Sequence, residues 1–507
     1  MNQPPRMIIL HPRDNVAIAM ADIGAGEEIG SAGVKTLQSA KQGHKVAVAP
    51  IAAGQNVIRY GQTIGQATVD IAAGEHVHVQ NLGMGEHTRD YAHASEAVAL
   101  DAALETRTFN GYHRADGGVG TRNYLGILTS VNCSGSVAKF IAEAAEKSGL
   151  LDAFPNVDGI VPITHGTGCG MSGENEGYDT LLRTLSGYAQ HPNFGGILLI
   201  GLGCEVMQVS ALVGGRPIRA DGALRYMTIQ HEGGTRKTIE KGLEELRSIA
   251  ELANTAVRKP AAISHLMVGM QCGGSDGYSG ITANPALGVA SDMLVRHGGT
   301  TILSETSEIY GAEHLLTRRA ATVEVGEKLI DRVRWWEDYT TRNKGEMDNN
   351  PSPGNKRGGL TTILEKSLGA VAKSGSAPLT DVYLFGEKID KKGFVFMDSP
   401  GFDPCSVTGQ IASGANLIVF TTGRGSVSGY MPTPCIKVAT NSEMYRRMSD
   451  DMDINCGDIV SEGVTLDDKG RDIFEMFISV ASGEQTKSEE LGFGGVEFVP
   501  WQIGAVM

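Results

Sequence analysis

Through the first part of the chain, apolar and polar residues alternate in short runs such as Lys45-Val46-Ala47-Val48 and Val57-Ile58-Arg59-Tyr60. Successive side chains of a strand point to opposite faces, so a period of two predicts half-buried strands. The runs are punctuated by a recurring glycine turn, seen in Ile23-Gly24-Ala25-Gly26-Glu27-Glu28-Ile29, Ile51-Ala52-Ala53-Gly54-Gln55-Asn56-Val57 and Ile71-Ala72-Ala73-Gly74-Glu75-His76-Val77. A small all-β module over residues 1–95 is the expectation. The stretch from Thr88 to Arg107 is rich in alanine and charge and reads as a partly helical linker, with 96–108 as its core.

From residue 109 the pattern changes to unbroken apolar runs, each followed by a glycine-rich turn and a helix-like segment. The runs are Leu125 to Val131, Gly159 to Thr164 and Gly196 to Gly201, with helical periodicity from Thr238 to Thr255. Strands buried on both faces and joined through helices read this way. After Arg258-Lys259-Pro260 the pattern restarts with Leu266 to Met270, Thr300 to Ser304, a helix from Ala320 to Tyr339, and Leu417 to Thr422. The predicted fold is multidomain α/β: the β module, then two Rossmann-like α/β domains over 109–257 and 262–507. Residues 343–359 form a long polar loop with almost no apolar residue, a length that is more often functional than idle.

Composition narrows the function classes. Glycine supplies 67 of 507 residues without a collagen-like period, and 41% hydrophobic residues rule out a disordered chain. A net charge of -14 with no basic run disfavours nucleic acid, and 6% aromatics leave few stacking platforms. No apolar run approaches the ~20 residues of a membrane span, and the first residues lack a secretory pattern, so a cytoplasmic protein without membrane partners is expected. The seven cysteines then read as thiols or metal ligands.

Four of them share one context. Cys133, Cys169, Cys204 and Cys272 each closely follow an apolar run and are flanked by Gly or Ser, which places them at the carboxyl ends of strands, where open α/β sheets bind ligands. Small buried apolar cysteines would account for any one of them. Soft thiolates with His165 nearby suit iron, zinc or an iron–sulfur cluster. His76 and His78 project to one face of a strand, where they could hold a metal or form a solvated polar face. His11 and His44 sit in tight turns. Gly201-Leu202-Gly203 half-matches a dinucleotide fingerprint but lacks its third glycine, so a nicotinamide-dependent oxidoreductase is a remote alternative. The turns holding Arg122 and Asn123, Ser275 and Asp276, Asn355 and Lys356, and Thr422 and Arg424 could grip an anionic, polyhydroxylated small molecule. Glu305, Glu308, Glu313 and His314 follow a predicted strand and are acid–base candidates.

The ordered set of His11-Pro-Arg-Asp14-Asn15, Gly43-His44-Lys45, Gly120-Thr-Arg-Asn123, His165 to Gly170, Gly201 to Glu205, Gln271 to Asp276, Asn350 to Lys356 and Phe420 to Gly425 resembles the altronate/galactarate dehydratase family over essentially the whole chain. The resemblance implies an N-terminal SAF-type β module and iron-dependent dehydration of a sugar acid to a 2-keto-3-deoxy product. The segments 14–22 and 70–81 look more like the altronate branch, giving D-altronate to 2-dehydro-3-deoxy-D-gluconate as the expected reaction. The surroundings of Asn156 and Cys272 look more like the galactarate branch, which is the alternative. On this reading Cys133, Cys169, Cys204 and Cys272 ligate Fe2+, an iron–sulfur cluster or another divalent metal, with His11, His44 and His165 as alternative ligands. His165, His44, Lys356 and Glu305 are the catalytic candidates. Arg122, Asn123, Ser275, Asp276, Asn355, Lys356, Thr422 and Arg424 bind substrate, the 343–359 loop closes as a lid, and the enzyme is a homo-oligomer, expected to be a dimer.

Overall fold

The computed structural model describes residues 6–29, 33–85, 90–214 and 223–507. Its first part is all-β. Strands Met7–Ile8, Val16–Ala19, Lys45–Ala47 and His76–Val77 form one antiparallel sheet, Asn56–Arg59, Gln62–Ala67 and Leu82–Gly83 a second, and Glu28–Ile29 pairs with Val34–Lys35. The repeated turn recurs in space as well, because Gly26, Gly54 and Gly74 share φ of 85°, 82° and 84°, a left-handed region that glycine enters without cost.

The expected linker helix is absent. Residues 90–107 run in bends and turns, and their amides bond to the C-terminal domain: Ala94 N donates to Thr317 O at 2.9 Å and Ala103 N to Arg296 O at 2.9 Å. The tertiary partners take the groups that a helix would have used. The first two residues of the Thr88–Arg107 reading lie outside the described residues.

The middle domain is built on a four-stranded parallel sheet ordered Ile160–Ile163, Tyr124–Thr129, Phe194–Gly201, Leu224–Thr228. All eight residues of Phe194–Gly201 are buried, as the unbroken apolar run requires. The helix expected over 238–255 spans Thr235–Ala253. In the C-terminal domain seven parallel strands run in the order Leu379–Tyr383, Gly393–Met397, Thr300–Leu303, Met267–Cys272, Leu417–Thr422, Cys435–Ala439, Ile454–Asn455. The helix expected over 320–339 is Val323–Arg342, which starts late because Thr322 accepts from Val325 N as its cap. Chain connections leave the central strand Met267–Cys272 first toward Thr300–Leu303 and later toward Leu417–Thr422 on its other side. Its carboxyl end, at Cys272, is therefore a topological switch point, where crossover helices diverge and leave a crevice.

The β module docks against this C-terminal domain through backbone. At Gly43, Gly277 and Gly359 the backbones of module and domain touch so closely that a Cβ on Gly277 or Gly359 would run into Gly43 O. Behind this seam Lys45 and Arg59 of the module converge on Glu365, all three side chains fully buried, with Lys45 Nζ 2.8 Å from both carboxylate oxygens.

Candidate active site at the carboxyl edge of the C-terminal sheet

The switch point gathers charge. Cys272 ends the central strand, Glu305 and Glu308 follow Thr300–Leu303, and Lys366 lies on the helix Ile363–Val371 with Lys373 just beyond it. Lys373 Nζ stands 2.9 Å from Cys272 Sγ and 3.8 Å from Glu305 Oε2. Lys366 Nζ donates to Glu308 Oε1 at 2.6 Å and to Asn350 Oδ1 at 3.1 Å, and Asn350 Nδ2 donates to the same Glu308 oxygen at 2.7 Å. Asp403, at the start of helix Asp403–Ala412, accepts from Gln271 Nε2 at 3.4 Å.

Burial and mutual charge set the protonation of this group. Burial pushes the Cys272 thiol up to about 11 despite Lys373, which keeps it a neutral SH. Lys366 and Lys373 lie above the usual range of an amine: burial opposes their charge, but Glu308, Cys272 and Glu305 outweigh it. Burial raises Glu305 well above an ordinary carboxyl, helped by Glu308. Asp403 shifts up to about 6 from burial and Glu308. Glu305 is held at φ 71°, uncommon for a side-chain-bearing residue, and both its carboxylate oxygens are buried without a hydrogen-bond partner.

Those orphaned oxygens are what a cation site would need. Among the described residues, one ligand atom each from Cys272, Glu305 and Glu308 lie within 4.8 Å of one another. These three residues fit a divalent ion, although Lys366 and Lys373 already neutralise part of the same negative charge.

Most of the substrate-binding candidates collect around this cluster. Asn355 Nδ2 donates to Ser275 O at 2.9 Å, Arg424 N to Gly274 O at 2.8 Å, and Gly425 N to Thr422 Oγ1 at 3.0 Å. Ser275 Oγ is buried without a partner. Asp276 is instead a structural acceptor, buried and bonded by Thr440, Ser279, Asn441 and the Tyr278 amide. A Cβ on Gly423 would collide with its carboxylate, so this turn requires glycine. Arg424 is exposed and Lys356 partly so, giving the rim two cations.

In this structure the expected lid stands as a wall beside the cluster. Residues 343–359 carry the short helix Pro353–Arg357, closed by a capping box between Ser352 and Asn355, and Asn350 reaches into the charged cluster. Its carbonyls also receive the β module: His78 Nε2 donates to Lys356 O at 2.8 Å and His44 Nε2 to Arg357 O at 3.3 Å. His44, His76 and His78 form a stack with ring centroids 5.0–5.5 Å apart, so the strand face carrying His76 and His78 is covered by this wall. Burial keeps all three imidazoles below their ordinary value, His76 at about 4. His44 thus seals the interface as a neutral ring. His11 stays in its own turn, where its Nδ1 accepts from Arg13 N at 3.1 Å.

Three candidates belong elsewhere. Arg122 and Asn123 precede the strand Tyr124–Thr129 and lie at its amino end, away from the ligand-binding edge. Arg122 is fully engaged, pairing with Glu489 at 2.7 Å and bonding the carbonyls of Thr121, Val480 and Glu484. Asn123 bonds Asn156 O and Ala253 O. His165 does sit at a carboxyl edge, but Thr167 N donates to its Nδ1 at 3.3 Å and its Nε2 donates to Thr129 O at 3.0 Å. Both nitrogens are occupied and burial lowers the ring to about 4, so His165 as arranged is neither ligand nor base. The four thiols also separate: Cys272 is buried in the charged cluster, while Cys133, Cys169 and Cys204 are exposed on the middle sheet. The Gly201–Gly203 turn is filled by the chain's own carboxylate, since Gly203 N donates to Glu205 Oε2 at 2.6 Å where a pyrophosphate would need free amides.

Sequence reading passed over Lys366, Lys373 and Asp403. The signal was present for the lysines: Lys366 lies on a helix whose nine residues are all buried, and Lys373 follows seven residues on, in the turn that continues it. A cavity of about 1090 Å³, lined by residues including Asp90, Tyr310, Leu364 and Leu368, lies against the face of that helix opposite Lys366.

Comparison with known proteins places all three parts of the chain. Residues 5–85 match the altronate/galactarate dehydratase SAF domain, 111–254 the second domain of D-galactarate dehydratase/altronate hydrolase, and 263–506 the C-terminal domain of D-galactarate/altronate dehydratase. The chain is 39% identical to galactarate dehydratase (L-threo-forming) of Escherichia coli (strain K12) over 503 residues, covering 96% of this chain and 94% of that one. It is 35% identical to altronate dehydratase of Bacillus subtilis (strain 168) over 490 residues, covering 96% and 97%. The beta subunit of (2R)-sulfolactate sulfo-lyase from Chromohalobacter salexigens is 33% identical over 392 residues, 77% of this chain and 96% of the subunit.

Proposed function

The chain belongs to the D-galactarate/altronate dehydratase family, and from that premise we propose that it removes water from D-altronate to give 2-dehydro-3-deoxy-D-gluconate at the Cys272–Glu305–Lys373 cluster. The observation that carries this reading is the placement, at the switch point, of a buried carboxylate that accepts no hydrogen bond, Glu305, beside the ammonium groups of Lys373 and Lys366. The reaction takes a weakly acidic proton from the carbon next to a carboxylate and expels hydroxide from the neighbouring carbon. A carboxylate whose proton affinity is raised is the stronger base, so Glu305 takes the proton at its Oε atoms. The ammonium groups of Lys366 and Lys373 stabilise the charge that develops on the substrate carboxylate. Asp403, shifted toward its protonated form, gives a proton to the departing hydroxyl, and the enol tautomerises to the keto acid. Thr422 and Arg424 position the polyol chain, with Lys356 at the rim and Asn355 holding the Ser275 turn in place. A divalent ion such as Fe2+, held by Glu305, Glu308 and Cys272, would supply Lewis-acid stabilisation of the enolate. The reading includes a homodimer in the cytoplasm.

A second reading, galactarate as substrate, is favoured by the 39% identity to the galactarate enzyme. Its second carboxylate would meet Arg424, Arg357 and Lys356 at the rim. Iron-loaded protein incubated anaerobically with a panel of aldonic and aldaric acids, and assayed for 2-keto-3-deoxy products, decides between them. Product from D-altronate supports the first reading and product from galactarate alone the second. Product from neither removes both.

A further inference from the structure

Cys272, Cys405, Cys435 and Cys456 are buried, as cysteines usually are, but Cys133, Cys169 and Cys204 are exposed. These three share an address. The strands Ile160–Ile163, Tyr124–Thr129 and Phe194–Gly201 are parallel neighbours in that order, so the loops carrying Cys169, Cys133 and Cys204 leave from one edge, with strands about 4.8 Å apart.

The loops are knitted together. Asn132 N, beside Cys133, donates to Thr167 O at 2.9 Å, and Met207 N donates to Gly168 O at 3.0 Å, so the Cys169 loop is bonded to both of the others. Gly168, at φ 95°, packs on Ser130 and Val131 with no room for a Cβ. Cys133 lies just before the helix Gly135–Lys147, and Gln230 Nε2 donates to Cys204 Sγ at 3.5 Å.

Nearby groups that could act as further ligands are already committed. Both nitrogens of His165 are bonded to backbone, and the Glu205 oxygens accept from Ser130 Oγ at 2.7 Å and Gly203 N at 2.6 Å. Nor do the three sulfurs close to within 4.8 Å of one another, the span of the Cys272 group. A single ion needs its sulfurs close together, whereas a cluster holds cysteine sulfurs further apart. We propose that Cys133, Cys169 and Cys204 hold a four-iron, four-sulfide cluster through three thiolates, leaving one iron without a protein ligand. This site is separate from the Cys272 group: thiolate donors suit soft metals and iron–sulfur clusters, whereas the two carboxylates there suit a hard ion. A cavity of about 400 Å³, lined by Asn132, Lys139, Thr164 and Gln502, opens on the same edge.

The test is anaerobic reconstitution of the full chain with ferric chloride, sulfide and excess dithiothreitol. The expected result is about four iron and four sulfide per chain with broad visible sulfur-to-iron absorption. Cys133→Ser, Cys169→Ser and Cys204→Ser should each lose most of that absorption, and Cys272→Ser should keep it. Iodoacetamide labelling of the unsubstituted protein should modify these three thiols before reconstitution and be suppressed at all three after it, a readout that does not depend on how variants fold. Iron without sulfide, equal labelling before and after, or absorption retained in the three variants would overturn the proposal. Because none of these readouts requires turnover, a failed substrate panel leaves this result standing, and the converse also holds.

Discussion

The two parallel sheets offer the same kind of edge to solvent and fill it differently. At the carboxyl edge of the C-terminal sheet the functional groups are buried and mostly charged: Lys366, Glu308 and Asn350 bond one another, and Lys373 bonds Cys272. At the corresponding edge of the middle sheet the thiols are exposed, and the residues around them, Ser130, His165 and Glu205, are committed to backbone and to one another. Sheet topology decides where a site can be, and the loops decide its chemistry. An edge of buried opposite charges is preorganised for proton transfer. Exposed soft donors are preorganised for capture.

The most direct way to break this contrast is Glu305→Gln. It keeps the shape and removes the base, so kcat should fall by about 10³-fold with the melting temperature nearly unchanged; a drop below tenfold would move the proton-transfer edge elsewhere. Arg122→Met tests the opposite end of the middle sheet. It leaves Glu489 as an unpaired buried charge and should cost roughly 3–5 kcal/mol of stability, while the folded fraction keeps its KM. A KM rise at unchanged stability would return Arg122 to substrate binding.

Acid should undock the β module. In Glu365 burial raises the pKa, but Lys45 and Arg59 outweigh it and hold the group at about 2. A carboxyl depressed by folding contributes stability above its unfolded value, near 4.5, and loses it as pH falls toward 2; the shift corresponds to roughly 3 kcal/mol. His44, His76 and His78, which are lowered by burial, add to the loss from about pH 6.5 downward, because the docked state disfavours their protonation. Proteolysis at residues 90–107 as pH is lowered should therefore accelerate first in the histidine range and again below pH 4.5, and Glu365→Gln should remove the second step. The smallest expected effect is at the rim. Arg424→Ala should raise KM about tenfold with kcat preserved, the loss of one charge-assisted contact.

Much of this was legible in the residues themselves. Periodicity located the β module and the strands that end near Cys133, Cys169, Cys204 and Cys272, because buried parallel strands demand unbroken apolar runs. It could not separate Arg122 from Arg424: both stand in Gly-Thr-Arg or Thr-Gly-Arg turns, and only tertiary structure shows that one precedes its strand while the other follows it. Nor could it place Cys272 apart from the other thiols, since the local pattern is the same and the difference is which sheet each strand joins. The polar 343–359 loop was visible as a functional segment, but not that Asn350 and Asn355 within it spend their polarity on buried partners.

The seam at Gly43, Gly277 and Gly359 bears on how the polypeptide could be divided. The module is held by its face, through glycine backbone and the Lys45–Arg59–Glu365 knot, and the covalent connection through residues 90–107 merely lies along the surface of its neighbour. Cutting that connection should leave two fragments that find each other again. Such a split protein would turn domain docking into an affinity, measurable by mixing, with Gly43→Ala as a wedge that weakens reassembly without touching a reacting group.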